Sequence, residues 1–406
     1  MAVPQFPMCA ARSQAEVEVA IIGAGVVGLA VAAVLSEHRS VAVIERHDSY
    51  GRENSSHNSG VIHAGLYYPL GWLKTVLCIE GNRLLYAWAA EHGVRTRRTG
   101  KLVLALAESE IPALRELAEA AQANGVPDLR ILRKGELQSM EPAIRGAAAL
   151  YSGSSGVIDQ MELMRSYVAA ARSNGAHFAF RHTLTGLKRR SSWFEIRVEG
   201  PDADEFTLTA ASVVNAAGLA ADSIGQSLGY DPDGGPGNPP FRQTINRGCY
   251  YDVVNREKAA RIAHLIYPLP HSDRSGLGIH VTVDVDGDVH LGPDSEWLEE
   301  GARLDFRMSD DRRLAFLQAA RRYWPALEFE DLAAGQVGYR PKLSGPAEPP
   351  ADFLIWFDRG YVHLGGIESP GMTASLAIAR RVCEIIERGN GSTSPLRSAR
   401  PSGDTE

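Results

Sequence analysis

A polar loop at residues 55–68 carries the side chains best suited to proton exchange and hydrogen bonding. Its sequence is SSHNSGVIHAGLYY, and it includes His57, His63 and Tyr67. Histidine gains and loses a proton near neutral pH, and buried imidazole and hydroxyl groups are costly unless they meet polar partners. Apolar residues interleave with the polar ones, which favours a partly buried loop. We therefore predict a binding site here rather than an ordinary surface loop.

A glycine-rich turn precedes this loop and predicts a dinucleotide site. The turn joins a predicted strand at 17–22 to a predicted helix at 29–37, and a second strand at 41–44 ends in Glu45. Its three glycines are Gly23, Gly25 and Gly28. In this context the first glycine permits the tight turn, the second lets a pyrophosphate approach the backbone, and the third lets helix and strand pack closely. The helix N-terminus then stabilises the phosphate charge.

The acid at the end of the second strand bears on the choice of nucleotide. Glu45 can accept hydrogen bonds from both hydroxyls of an adenosine ribose, and its charge would repel a 2′-phosphate. NADP is therefore disfavoured, although the adjacent Arg46 leaves an opening for it. The turn alone does not separate NAD from FAD.

Length and composition indicate an enzyme of two to three domains. The chain has 406 residues, of which 42 are basic and 49 acidic, and a typical domain has about 150 residues. A net charge of −7 disfavours nucleic-acid binding, which needs a basic surface. Four scattered cysteines disfavour a metal site and favour a reducing cytoplasm. The uncharged run at 19–35 is barely long enough for a transmembrane helix. The glycines at its start favour the dinucleotide-binding turn over that alternative.

Periodicity along the rest of the chain predicts alternating helices and strands. The predicted helices are 71–92, 111–124, 161–174 and 372–387. The predicted strands are 184–189, 194–198, 213–215, 248–254, 265–267, 278–285, 289–291, 353–357 and 361–364. Linkers rich in Pro and Gly lie at 231–240 and 343–350, and loose tails are expected at 1–16 and 393–406.

This layout predicts an α/β fold with a Rossmann-like nucleotide domain assembled from discontinuous segments. We assign 17–80, 156–230 and 335–392 to that domain, and 81–155 and 231–334 to an inserted mixed-sheet substrate domain. An NAD dehydrogenase more often keeps its nucleotide domain contiguous, so the layout favours FAD. The chain lacks a second glycine turn in a strand–turn–helix context, which disfavours reoxidation by a bound nicotinamide.

Ordered motifs along the chain carry a family resemblance. They are the glycine turn with Glu45, HNSGVIHAGLYY at 57–68, LKTVLCIEG at 73–81, GKLV at 100–103, GVID at 156–159, VNAAG at 214–218, IYPLP at 266–270, GIH at 278–280, LGP at 291–293, GYRP at 338–341 and SPGMTAS at 369–375. Together they resemble the D-amino-acid-oxidase-like FAD-dependent oxidoreductases and, within them, the L-2-hydroxyglutarate dehydrogenase family, over roughly residues 17–388. The segments 341–343 and 366–368 depart from the family pattern, which leaves the substrate open.

The resemblance implies FAD and a set of residues around it. Those expected near the cofactor are Gly23, Gly25, Gly28, Glu45, Arg46, Ser55, Ser56, His57, Ala217, Gly218, Gly371, Met372 and Thr373. The last three open the final helix, whose N-terminus can stabilise an anionic reduced flavin. Relatives in the superfamily bond flavin covalently from the region of His57, so a covalent link is an alternative here.

The resemblance also implies the oxidation of a small L-2-hydroxy acid, with L-2-hydroxyglutarate leading and an amine or amino-acid oxidase as the alternative. Arg340 is expected to bind the substrate carboxylate, since a guanidinium offers a rigid two-donor fork. His280 is the expected base, with His63 as the alternative. Lys342 is a candidate for a second carboxylate, and the nearby aromatic candidates for the pocket wall are Tyr67 and Tyr251.

Several partners follow from this assignment. Electrons are expected to pass to a quinone, a carrier protein or oxygen. No transmembrane segment, metal or nucleic acid is expected. The expected location is the cytoplasm, with peripheral membrane association as an alternative.

Overall fold

The computed structural model describes residues 16–269 and 278–389, and it is an α/β protein as the sequence predicts. Its strands are, in chain order, β1 Val17–Ile22, β2 Val41–Glu45, β3 Val61–Ile62, β4 Thr96–Arg97, β5 Lys101–Ala105, β6 Leu129–Arg133, β7 Ala148–Ser152, β8 Gly156–Ile158, β9 His177–Phe180 and β10 Thr183–Arg189. The remaining strands are β11 Phe194–Glu199, β12 Glu205–Asn215, β13 Thr244–Val253, β14 Leu265–Pro268, β15 Val281–Val283, β16 Val289–Leu291, β17 Glu296–Trp297, β18 Leu332–Lys342, β19 Leu354–Asp358 and β20 Tyr361–Gly365.

The helices connect and cover these strands. They are α1 Val26–Leu35, α2 Leu73–His92, α3 Ile111–Ala123, α4 Lys134–Met140, α5 Gln160–Ser173, α6 Ala221–Ser227, α7 Arg256–Ala259, α8 Arg313–Arg321 and α9 Gly371–Arg388. The predicted N-terminal tail lies outside the described residues except for Glu16, whose N–H donates to the Thr209 carbonyl at 3.1 Å, and the tail at 393–406 lies wholly outside them. Within the described ranges, every helix is too short or too polar to cross a membrane.

The first sheet has a parallel centre built from distant parts of the chain. Its strand order is β10-β11-β12-β1-β2-β9, and β20 extends it by pairing with the end of β12. β1 runs parallel to both β12 and β2, with Ile22 level with Asn215. Helices α1, α2, α5 and α9 contribute to the apolar core on one face of this sheet. Such central strands are buried on both faces, which explains why their sequences are almost uninterruptedly apolar.

A second, mixed sheet forms the other half of the molecule. Its order is β17-β13-β16-β15-β14-β5-β7-β6, and the long strand β18 pairs antiparallel with β13. A small third sheet, β3-β8-β4, lies apart from these two. Two of the domain boundaries proposed from the sequence cut continuous elements: the boundary at 335 falls within β18, and the boundary at 81 falls within α2, which packs against α9. The division into domains itself stays a prediction.

A buried histidine in the first sheet predicts sensitivity to acid. His363 on β20 is fully buried, and burial lowers its pKa to about 3. The folded protein therefore holds the ring neutral, whereas the unfolded chain takes up a proton once the pH falls below the usual pKa near 6.5. Because the unfolded state binds the extra proton, stability is lost as the pH falls below that value.

We expect His363→Leu to reduce this loss. Between pH 7 and pH 5 the wild type should lose about 2 kcal/mol more unfolding free energy than the variant. Urea unfolding at the two pH values measures the difference. Equal losses in the two proteins would contradict the assignment.

Candidate active site

Three parallel strands end at one edge of the first sheet. The segments that follow Ile22, Asn215 and Gly365 form a recess there, which we call the cradle. Because the carboxyl ends of β1, β12 and β20 meet, the segments that follow them come together. The Ala216 N–H donates to the Ile22 carbonyl at 3.0 Å, which ties the second of these segments to the first. Helix α1 then begins at Val26, so its first-turn N–H groups face the space above this edge.

The residues around the glycine turn fit a dinucleotide. The Val26 N–H donates to Ser55 Oγ at 2.9 Å, and the Ala24 N–H donates to Glu45 Oε2 at 2.8 Å. A Cβ on Gly25 would meet only Ser55 Oγ, at 3.0 Å, so backbone and hydroxyl donors border an opening without bulky side chains. This is the environment that a pyrophosphate requires, with a carboxylate at the ribose end.

The polar loop is fastened to the last helix. The His63 N–H donates to Thr373 Oγ1 at 3.0 Å, and the Thr373 hydroxyl donates to the Val61 carbonyl at 3.2 Å. The Asn82 amide on α2 donates to the His63 carbonyl at 2.9 Å. Residues 370–373, at the N-terminus of α9, therefore lie beside His63 at a fixed distance.

One cavity connects the cradle to the second sheet. The residues of its wall come from the glycine turn, the polar loop, the segment after β12, β13, β14, the residues before β15, β18 and the start of α9. Among them are Gly25, Ser55, His57, His63, Tyr67, Gly218, Tyr250, Tyr267, His280, Arg340, Gly371, Met372 and Thr373. The predicted nucleotide-binding groups, three histidines and an arginine thus share one space, although their roles stay predictions.

Arg340 is held in this wall by neutral acceptors. Its Nη1 donates to Asn246 Oδ1 at 2.6 Å, and both terminal nitrogens donate to the Asp294 carbonyl, at 3.3 and 3.2 Å. A Cβ on Gly248 would lie 2.8 Å from Nη2, so the absence of a side chain there makes room for the guanidinium. In the described part of the chain no carboxylate forms an ion pair with Arg340. Its charge is therefore available to an anionic ligand.

The two candidates for the base, His63 and His280, reach the cavity from different elements. His63 follows β3, and its Nε2 lies 3.3 Å from Ser369 Oγ. Burial, then the charges of Lys101 and His280, hold the pKa of His63 well below its usual value. His280 is 4% exposed, and its ring stacks on Tyr267 with a centroid distance of 3.6 Å. A histidine kept neutral in this way can accept a proton.

Two residues predicted at the substrate lie elsewhere. Tyr251 is fully buried on the other face of β13, where its hydroxyl accepts from the Arg312 N–H at 3.2 Å, and the neighbouring Tyr250 lines the cavity instead. Lys342 is also outside the cavity wall, because its ammonium pairs with Glu368 at 2.8 Å. The structure therefore does not place Tyr251 and Lys342 in the cavity wall, and a role for them at the substrate stays a prediction.

Six residues predicted near the cofactor also lie outside the cavity wall: Gly23, Gly28, Glu45, Arg46, Ser56 and Ala217. The first three belong to the glycine turn and to the end of β2, described above. Arg46 forms an ion pair with Glu53. The Ser56 hydroxyl lies 3.0 Å from His57 Nδ1. Ala217 follows Asn215, whose Oδ1 accepts from the Ala217 N–H at 3.2 Å, and only its neighbours Ala216 and Gly218 reach the wall. Contact of Arg46, Ser56 and Ala217 with the cofactor stays a prediction.

Sequence reasoning missed other residues of the site. Tyr250, Tyr267 and Glu368 line the cavity, and Asn82 fixes the loop from behind. Side chains alternate between the two faces of a strand, and Tyr250 lies two residues from Gly248, which lines the cavity. This alternation along β13 was the sequence pattern that could have identified Tyr250. No sequence pattern singles out Glu368, because the lysines that pair with it, Lys74 and Lys342, come from distant elements.

Comparison with known proteins agrees with this geometry. Residues 18–385 match the family described as FAD dependent oxidoreductase. The mitochondrial L-2-hydroxyglutarate dehydrogenase of Arabidopsis thaliana is 36% identical over 92% of this chain and 84% of its own length. The L-2-hydroxyglutarate dehydrogenase of Escherichia coli K12 is 28% identical over 90% of this chain and 92% of its own length.

Solved structures support the fold. L-α-glycerophosphate oxidase from Mycoplasma pneumoniae, solved with FAD bound, superposes with a TM-score of 0.80 at 24% identity, covering 94% of this chain and 97% of that one. Glycine oxidase from Geobacillus kaustophilus gives a TM-score of 0.76 at 21% identity, covering 95% of this chain and 98% of that one. At these identities the likeness concerns the fold alone.

Proposed function

Because the chain belongs to the FAD-dependent oxidoreductases and, within them, to the L-2-hydroxyglutarate dehydrogenase family, we propose that it oxidises L-2-hydroxyglutarate to 2-oxoglutarate. The observation that carries this proposal is the shared cavity. It is bordered by the glycine turn, by the N-terminus of α9, by His63 and His280, and by Arg340, which pairs with no carboxylate of residues 16–269 or 278–389. A hydroxy acid held there would have both its carboxylate and its hydroxyl within reach of suitable groups.

Each group in the cavity wall has a separate role in the proposed reaction. The Arg340 guanidinium binds the C1 carboxylate and is oriented by Asn246 and the Asp294 carbonyl. His280, or His63 with its lowered pKa, accepts the hydroxyl proton of C2. FAD, when bound, supplies the two-electron acceptor for the C2 hydride at its N5 atom. Residues 370–373 place the positive end of the α9 dipole beside the cavity, where it stabilises negative charge.

The visible spectrum of the purified protein under nitrogen tests the proposal. Addition of L-2-hydroxyglutarate is expected to bleach the flavin band promptly, whereas D-2-hydroxyglutarate should leave it unchanged. L-glutamate is the matched control for the oxidation of an amino acid, because it replaces the hydroxyl with an amine. A band that persists with L-2-hydroxyglutarate and bleaches with L-glutamate would assign the protein to the amino-acid oxidases instead.

The electron acceptor and the location also belong to this proposal. We propose a quinone, a carrier protein or oxygen as the acceptor, and the cytoplasm as the location, with peripheral membrane contact where a quinone is used. The scattered free cysteines support a reducing compartment. Reoxidation of the bleached enzyme by air, by a soluble quinone or by neither distinguishes the acceptors.

A further inference from the structure

A lysine lies buried immediately behind the cavity wall. Lys101 opens β5, level with Ser152 on β7 and Leu265 on β14, and it is 1% exposed. Its Nζ lies 3.9 Å from the centre of the Tyr267 ring and 5.7 Å from the centre of the Tyr67 ring. Both tyrosines line the cavity, whereas Lys101 does not. Its ammonium is therefore separated from the substrate space by one layer of aromatic rings.

This ammonium has no acidic counterpart in the described ranges. No carboxylate of residues 16–269 or 278–389 forms an ion pair with it. The titratable groups that face it come from every neighbouring element: Cys78 on α2, His63 and Tyr67 on the polar loop, Tyr267 on β14, and His280 before β15. Burial lowers the pKa of Lys101 to about 7, and Cys78 opposes this shift. Below pH 7, where a histidine titrates, the amine therefore carries its charge without an acidic partner among the described residues.

The charge favours the neutral form of the histidine, which is the form from which the proposed reaction starts. A histidine can take the hydroxyl proton only while its ring is neutral, and a nearby positive charge disfavours the imidazolium form. After burial, Lys101 is the next group that depresses the pKa of His63. The Tyr267 ring contacts both the Lys101 ammonium, 3.9 Å from its centre, and the His280 ring, at a centroid distance of 3.6 Å. The aromatic faces also stabilise the ammonium itself through cation–π contact.

We propose that Lys101 is a positioning residue whose buried ammonium keeps His63 and His280 neutral, so that one of them can accept the hydroxyl proton. In this step the substrate O–H bond breaks and an imidazole N–H bond forms. The inference rests on the proposed function, because it assumes a reaction that releases a hydroxyl proton. Lys101 itself does not touch the substrate.

Titration of the histidines in the holoenzyme tests this without any substrate. The rings are labelled with ¹³C and followed by NMR against pH in the wild type, Lys101→Met and Lys101→Arg, with His63→Asn and His280→Asn supplying the assignments. Lys101→Met should raise the pKa of at least one of these two histidines by about one unit. Lys101→Arg keeps the charge and should leave both histidines as in the wild type. Unchanged titration in a folded, flavin-loaded Lys101→Met overturns the proposal.

The pH dependence of flavin reduction by L-2-hydroxyglutarate gives a second reading. Activity rises with pH as the accepting histidine becomes neutral, so Lys101→Met should move this acid limb upward by about one pH unit. If the wild-type flavin is not reduced at all, the proposed function fails while the NMR titration still decides the role of Lys101. If neither Lys101→Met nor Lys101→Gln folds, Lys101 is a structural requirement and the proposal is overturned.

Discussion

Replacing Arg340 with methionine is expected to lower kcat/KM for L-2-hydroxyglutarate about a thousandfold, or about 4 kcal/mol. The variant removes two charge-assisted hydrogen bonds and leaves the substrate carboxylate without a cation in a partly buried site. KM should rise, and the product 2-oxoglutarate should bind more weakly. Steady-state kinetics and inhibition by 2-oxoglutarate measure these effects.

The control for this variant is Arg313→Met. Arg313 lies on α8, pairs with Asp310 and does not line the cavity. Its loss should leave kcat/KM within about twofold, since neither Arg313 nor Asp310 borders the cavity. The flavin content of Arg340→Met should also match the wild type. An unchanged KM in a flavin-loaded Arg340→Met would remove Arg340 from the substrate site.

Replacing Gly28 with alanine is expected to abolish FAD retention. A Cβ at residue 28 would lie 2.1 Å from the Gly23 carbonyl oxygen and 3.3 Å from the Ala216 Cβ. Both neighbours are fixed, because they belong to the turns that end β1 and β12. Helix α1 must therefore shift away from the cradle, and we expect a loss of about 3 kcal/mol in unfolding free energy. Flavin absorbance after gel filtration and urea unfolding report the two effects.

Gly135→Ala is the matched control for this substitution. Gly135 lies in helix α4, and a Cβ there would have no neighbour within 4 Å. The same change should therefore keep the flavin and raise stability slightly, by about 0.5–1 kcal/mol, because alanine is the better helix former. A Gly28→Ala protein that retains FAD as Gly135→Ala does would show that the turn tolerates a side chain.

The nucleotide half of the fold was predictable from the sequence because its signals are local. An apolar strand, a glycine turn, an apolar helix and a second strand ending in Glu45 follow one another within 17–45, and the structure has β1, α1 and β2 there. The long helices α2, α5 and α9 were equally visible from their periodicity. The predicted helix at 29–37 begins three residues late, since Val26 and Val27 resemble the strand before them.

Much of the second sheet was not predictable, because pairing across distant segments decides it. Strands β6 and β7 and helix α8 carry weak patterns and were missed. A lysine at the start of a strand usually indicates an exposed edge, so burial of Lys101 required knowledge of β7 and β14 on either side. The choice between Tyr250 and Tyr251 depended on which face of β13 meets the cavity, and the register of β13 against β18 shifts between Cys249 and Tyr251.

The order in which the first sheet draws on the chain bears on how the protein is made. The glycine turn is synthesised well before the strand beside it, β12, which ends at Asn215, and before the helix facing the cavity, which begins only at Gly371. A growing chain on the ribosome therefore holds one wall of the cofactor site long before the other exists. We expect FAD to be taken up only after α9 has been synthesised, so that chains truncated before α9 remain colourless however well their earlier segments fold.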